Sequence, residues 1–198
     1  MKPDRLNALT DGVVAIAITI IVLELPLPPE PTMAGLQAIL PMLFAYLLSF
    51  INIGIFWNNH HHMLTTATHV DGRVLWANLA LLFFLSLMPF VIRWMGEAGF
   101  TPLPTAAYGV VVVGAALSYE LLEAAIIRLH GRDSALAKAL GGNVKERLST
   151  IAYLVAIGLA FVDPRISIGI YGLVAVSWLV PDPRIERQHV AEHRGKSS

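Results

Sequence analysis

The sequence predicts an all-α transmembrane bundle of six helices, and three observations predict it. Of 198 residues, 56% are hydrophobic and only 14% are charged, against about 25% charged in an ordinary soluble domain. The mean hydropathy is +0.64. The apolar residues fall in six continuous runs separated by Pro, Gly and charge clusters: Gly12 to Leu25, Leu36 to Trp57, Val74 to Ile92, Thr105 to Leu122, Leu148 to Val162 and Ile166 to Val180. Continuous runs, rather than alternation in ten-residue units, point to helices and away from an outer-membrane barrel.

The first run is short. Only Gly12 to Leu23 is free of ionisable residues, a stretch reaching about 18 Å against a hydrocarbon core of about 30 Å. The helix is therefore expected to extend backwards, carrying Thr10, Asp11 and Arg5 into the inner membrane region, where an ionisable group needs a partner or a wet cavity. The alternative is a helix simply capped by Asp11 at its N-terminus. Asp4 and Asp11 among the basic residues, with no small-x-small site after Leu25, argue against a cleaved signal peptide. The second and third runs span easily, and the fourth follows them. The fifth and sixth need snorkelling flanks. Inside the sixth, Ile168-Gly169-Ile170-Tyr171-Gly172 resembles a carbonyl filter, but no re-entrant pore helix precedes it, so its glycines are read as helix-packing positions. Residues 1–180 then form one membrane domain. The segment 181–198, with Arg184, Arg187, Arg194 and Lys196, reads as a polar cytoplasmic tail with an affinity for anionic lipid.

Placing both termini inside leaves only Arg93 and Arg165, of the fourteen lysines and arginines, on the outside. That asymmetry is the positive-inside pattern of a cytoplasmic, or inner, membrane protein, and it supports an even number of helices. Fourteen basic and fourteen acidic residues cancel, leaving no surplus to attract nucleic acid. There is no cysteine, which excludes disulfides, iron–sulfur clusters and thiolate metal sites. No GxSxG, Walker, Rossmann or kinase signature is present, so neither an enzyme nor a resident cofactor is expected.

The topology gathers polar residues at one depth. The second helix delivers Trp57, Asn58, Asn59, His60, His61 and His62 to the cytoplasmic end, the third starts there with Trp76 and Asn78, and the fourth finishes there with Glu120 and Glu123. Such a layer suits a hydrogen-bonded network holding helices in register, since an unsatisfied polar group in lipid costs several kcal/mol; an interfacial belt in water is the other reading. Consecutive histidines on a helix point about 100° apart and cannot converge on one ion, so His60 to His62 are read as network members and not as metal ligands.

Three patches resemble the prokaryotic relatives of transmembrane protein 175, the lysosomal potassium channel. The family opens its first helix with Arg-x-x-x-Phe-Ser-Asp, and Arg5-Leu6-Asn7-Ala8-Leu9-Thr10-Asp11 is similar, with Leu9 in place of Phe and Thr10 in place of Ser. The second helix ends in the similar Phe56-Trp57-Asn58-Asn59-His60-His61-His62, and the third carries Leu75-Trp76-Ala77-Asn78 and Ser86-Leu87-Met88-Pro89-Phe90. The last three helices match only in hydrophobicity.

The resemblance implies a potassium-permeable cation channel: a homotetramer in lipid, with monovalent cations passing a pore lined by the first helix. Carried over from Asp11, the constriction falls on Ile16 and the further pore-facing layers on Thr19, Ile20 and Leu23. These four lie at i, i+3, i+4 and i+7, one helical stripe. Isoleucines there would gate by narrowing and dewetting, with Thr19 hydroxyls meeting a partly dehydrated cation. The resemblance also implies a buried structural network of Arg5, Thr10, Asp11, Trp57, His60, His61 and Asn78. The competing function is a proton- or cation-coupled secondary transporter using Asp11 or the Glu120/Glu123 pair; the inverted repeats and broken midplane helices common in that class are not evident.

Overall fold

The computed structural model describes residues 3–131 and 144–179, and within them the chain is helical with no strand. The six helices are α1 (Asp4–Leu23), α2 (Met33–Thr65), α3 (Gly72–Glu97), α4 (Pro102–His130), α5 (Val144–Leu159) and α6 (Pro164–Leu179). The expected tail, 181–198, lies outside the described residues.

Each helix starts ahead of its apolar run, and in α2, α3 and α6 polar side chains satisfy the end groups that lipid cannot. Thr32 accepts from the Gly35 amide at 3.1 Å to start α2. Asp71 accepts from the Arg73 and Val74 amides, each at 3.0 Å, to start α3. Pro102 opens α4 at a position where its missing N–H would have no partner. Asp163 accepts from the Arg165 amide at 2.9 Å at the head of α6. Pro41 and Pro89 sit inside α2 and α3, which continue through them, although each removes one backbone donor.

Among the described residues four helices, α1 to α4, are long and apolar enough to cross a membrane. As described, α5 and α6 have 16 residues each, about 24 Å of helix at 1.5 Å per residue, so they reach the bilayer faces only with help from their flanks, as their short apolar runs imply. α3 is central, packed along α4 on one side and α1 on the other, while α5 and α6 pair with each other and close against α4 and α2. α1 touches α2 and α3 and stands at the edge of the protomer.

Lipid tails are as apolar as leucine, so packing in the bilayer relies on close backbone approach and on hydrogen bonds. Two glycines of α4 provide the approach. A Cβ on Gly109 would run into the Tyr171 hydroxyl and Ile157, and one on Gly114 into the Phe84 ring. The expected packing role of Gly169 and Gly172 is not met: a Cβ at either would find nothing within 4 Å. Their helix turns Ser167, Tyr171 and Ala175 inward instead, leaving the glycines off the buried face.

Candidate functional site

α1 has two unlike faces. Leu6, Thr10, Val14, Ala17 and Ile21 are buried, spaced by three or four residues so that one stripe turns toward α2 and α3. On the other side Ile16 is 62%, Ile20 40% and Leu23 76% exposed, and Thr19 is exposed with them. The Thr19 hydroxyl donates to the Ala15 carbonyl at 2.8 Å. That bond fixes its rotamer and leaves oxygen lone pairs facing away from the helix.

The buried stripe carries one polar residue, and it is met by two others. Thr10, His60 and Asn78 are 1%, 1% and 0% exposed. His60 Nε2 donates to Asn78 Oδ1 at 2.7 Å, since an amide oxygen only accepts. Asn78 Nδ2 donates to Thr10 Oγ1 at 3.2 Å, and Thr10 Oγ1 lies 3.4 Å from His60 Nε2. The triangle ties α1, α2 and α3 together at one level. An aqueous interfacial belt would leave these side chains wet, and they are not.

Asp11 follows Thr10 on the opposite edge of α1 and does not cap the helix, which begins at Asp4. Its carboxylate accepts from Trp57 Nε1 at 2.7 Å. The Trp57 ring stacks on His61, with centroids 5.9 Å apart and planes at 26°. This second junction is on the protomer surface, with Asp11 and His61 exposed and Trp57 40% exposed. Arg5 does not join either junction: it is exposed, and its side chain makes no hydrogen bond or ion pair among the described residues. It lies five positions from Thr10, about 140° around the helix, so the buried stripe cannot include it.

The expected four-helix polar layer is reduced to three helices. Glu123 is buried, but α4 directs its carboxylates at α5: Thr150 Oγ1 donates to Glu120 Oε1 at 3.3 Å. α4 lies beyond α3 from α1, which keeps the two clusters apart. At the end of α4, the Thr68 amide donates to His130 Nε2 at 3.1 Å, and His130 Nδ1 donates to the Ile126 carbonyl at 2.9 Å. Among the described residues no three His, Asp or Glu side chains are placed to hold a metal ion.

A second polar core, in α2, α4, α5 and α6, is not marked out by the sequence reading. Asn52 Nδ2 donates to the Tyr108 hydroxyl at 2.9 Å and Asn52 Oδ1 accepts from the Tyr153 hydroxyl at 3.2 Å. The Tyr171 hydroxyl donates to the Thr105 carbonyl at 3.2 Å. Its only signal in the sequence is a lone Asn and three tyrosines inside apolar runs, each needing a partner in lipid.

The comparisons with known proteins agree on one family. The family model described as the endosomal/lysosomal potassium channel TMEM175 matches residues 5–89, the stretch from Arg5 to Pro89 that holds both junctions. A potassium channel of Chryseobacterium sp. is 49% identical over 187 residues, covering 94% of this chain and 97% of that one. A potassium channel of Streptomyces collinus is 30% identical over 185 residues, covering 87% and 89%. Among solved structures, a lysosomal potassium-selective channel TMEM175 homologue from Chamaesiphon minutus superposes with a TM-score of 0.71 at 26% identity, over 90% of this chain and 96% of that one. A multi-pass helical chain with this similarity along its length belongs to the family of TMEM175, the endosomal/lysosomal potassium channel.

Proposed function

We propose that the protein is a potassium-permeable channel of the prokaryotic cytoplasmic membrane, a homotetramer with α1 of each subunit on a shared axis. Both termini are cytoplasmic in this reading, with 1–180 as the conducting domain and 181–198 as a cytoplasmic tail. The observation that carries it is the division of α1: the Thr10 face is packed and hydrogen-bonded into the protomer, while Ile16, Thr19, Ile20 and Leu23 stand exposed on a helix at the protomer edge. Around a lone protomer lipid would cover that stripe; in four copies it meets its own kind across a shared axis.

Ile16 is then the constriction. Aliphatic side chains in a ring resist wetting, so passage depends on the width and hydration of that ring. Thr19, nearly one turn further along, presents hydroxyl oxygen to a cation that has shed part of its water. The Thr10–His60–Asn78 triangle and the Asp11–Trp57 pair hold the orientation of α1, so that the stripe keeps its aim. Mechanistically the protein binds no cofactor and makes no covalent bond; potassium moves down its gradient.

Potassium flux into liposomes containing the purified protein tests this. Potassium-driven flux, raised by Ile16→Asn, is expected. Saturable uptake tied to a counter-ion gradient would instead identify a secondary transporter, and no flux at any pH or voltage would refute conduction.

A further inference from the structure

A cavity of about 50 Å³ lies between α2, α4, α5 and α6, with no residue of α1 in its lining. Its walls are aromatic, with Phe56, Tyr119, Tyr153 and Trp178, and its acidic edge is made by Glu120 and Glu146. Most of the polar groups around it are already engaged. The Tyr153 hydroxyl donates to Asn52, Trp178 Nε1 donates to Ser149 Oγ at 2.9 Å, and Thr150 holds Glu120. Tyr119 differs. It is only 7% exposed, it borders the cavity, and its hydroxyl makes no hydrogen bond among the described residues. The hydroxyl is open to the cavity, unlike Ser49 Oγ, which is buried with no partner among the described residues, so whatever fills the cavity can bond to it.

We propose that this cavity binds a small organic cation, a methylated ammonium held between Glu120 and the aromatic walls, with its N–H donated to the Tyr119 oxygen. Aromatic faces attract ammonium groups through the ring quadrupole, and carboxylates select positive charge over a neutral molecule of equal shape. The wall shows this preference within the chain itself: the Lys145 ammonium stands 4.7 Å from the Trp178 ring centroid. A bare metal ion is a poor fit, since no set of three acidic or histidine ligands converges among the described residues and aromatic carbons cannot replace a hydration shell. The volume has room for roughly four waters, which suits a cation of four or five heavy atoms.

The site stands apart from the pore stripe, so it can be tested whether or not α1 lines a pore. Trimethylammonium chloride is titrated into the purified full-length protein in detergent by calorimetry, with tert-butanol as a neutral molecule carrying the same three methyl groups and sodium chloride as the ionic control. Saturable binding of trimethylammonium alone is expected. Glu120→Gln, which keeps an acceptor for Thr150, should weaken it at least tenfold; Tyr119→Phe, which removes one oxygen and keeps the ring, should weaken it several-fold with the melting temperature preserved. Ile16→Asn should leave it unchanged. Equal heats from trimethylammonium and sodium chloride, equal affinity in Tyr119→Phe, or loss of binding in Ile16→Asn, which would put the cation in the pore, each overturns the proposal.

Discussion

Arg93 of α3 reaches the end of α1: its Nη1 lies 2.8 Å from Glu24 Oε2, while its Nε donates to Glu97 Oε1, also at 2.8 Å. Glu24 directly follows Leu23, the last residue of the exposed stripe. One guanidinium therefore neutralises a carboxylate at the head of the proposed conduction path and pins the helix that carries it. Charged residues at a narrow entrance concentrate counter-ions by focusing the field. Arg93→Gln leaves Glu24 unpaired, and potassium flux at about 10 mM salt is expected to rise roughly twofold or more. The difference should vanish near 1 M salt, where the screening length is about 3 Å. Equal flux at both salt concentrations would show that the mouth does not feel this pair.

Asn78→Leu should be among the most damaging single changes in α3. It removes the acceptor of His60 and the group that donates to Thr10 at once, leaving two buried polar groups with only each other, across a long 3.4 Å contact. Each stranded group costs about 1–3 kcal/mol. A large fall in melting temperature in detergent is expected. In a double-mutant cycle with His60→Leu, the coupling energy should be at least about 0.5 kcal/mol, because removing both partners is milder than removing one. Additive losses would mean that the triangle does not act as a unit.

Trp57→Phe probes the outer junction separately. It keeps an aromatic face against His61, deletes the Nε1 donation to Asp11 and trims the indole to a single ring. Because Trp57 is 40% exposed, water replaces part of the bond, and about 1 kcal/mol of stability is expected to go. If the Asp11–Trp57 pair aims α1, flux should fall more than the melting temperature suggests. A thermal shift with unchanged flux would assign the pair to stability alone.

The part of this architecture legible in the sequence is the part where polar residues interrupt apolar runs. Thr10, Asp11, Trp57, His60 and Asn78 are conspicuous because lipid tolerates them only in pairs, and the structure does pair them. Which of them pair was not legible. His60 and His61 look alike in a run of three, yet the 100° step between them buries one and exposes the other. Arg5 shows the same limit, belonging to the motif by spacing and to neither junction by angle. The glycines mark a second limit. Gly109, Gly114, Gly169 and Gly172 all lie in apolar helices, and only the position of a neighbouring ring or tyrosine hydroxyl, set by the whole bundle, separates those that packing requires from those it does not.

Those glycines make a direct comparison. Gly109→Ala and Gly114→Ala force a methyl against Tyr171 and Phe84 respectively, and overpacking of this kind costs about 1–3 kcal/mol. Gly169→Ala and Gly172→Ala meet nothing and should gain up to about 1 kcal/mol from the stiffer helical backbone. Thermal melts of the four variants should fall into two groups of opposite sign. A loss at Gly169 or Gly172 comparable to that at Gly109 would reveal a partner against α6 that a single protomer does not contain.

The absence of cysteine allows α1 to be mapped one thiol at a time. Cysteines at Ile16, Thr19, Ile20 and Leu23 lie on the exposed face, and those at Val14, Ala17 and Ile21 on the packed face. A membrane-impermeant thiolate-directed reagent requires water, because only an ionised thiol reacts at a useful rate. If α1 borders an aqueous path, the first group is modified in liposomes and flux drops as modification proceeds, while the second group stays inert in the folded protein. Lipid would leave both groups unreactive, since it excludes the reagent and the thiolate alike. Exposure of the stripe in the protomer fits either environment, and the reactivity of Cys placed at Thr19, the most polar of its positions, is the sharpest single discriminator.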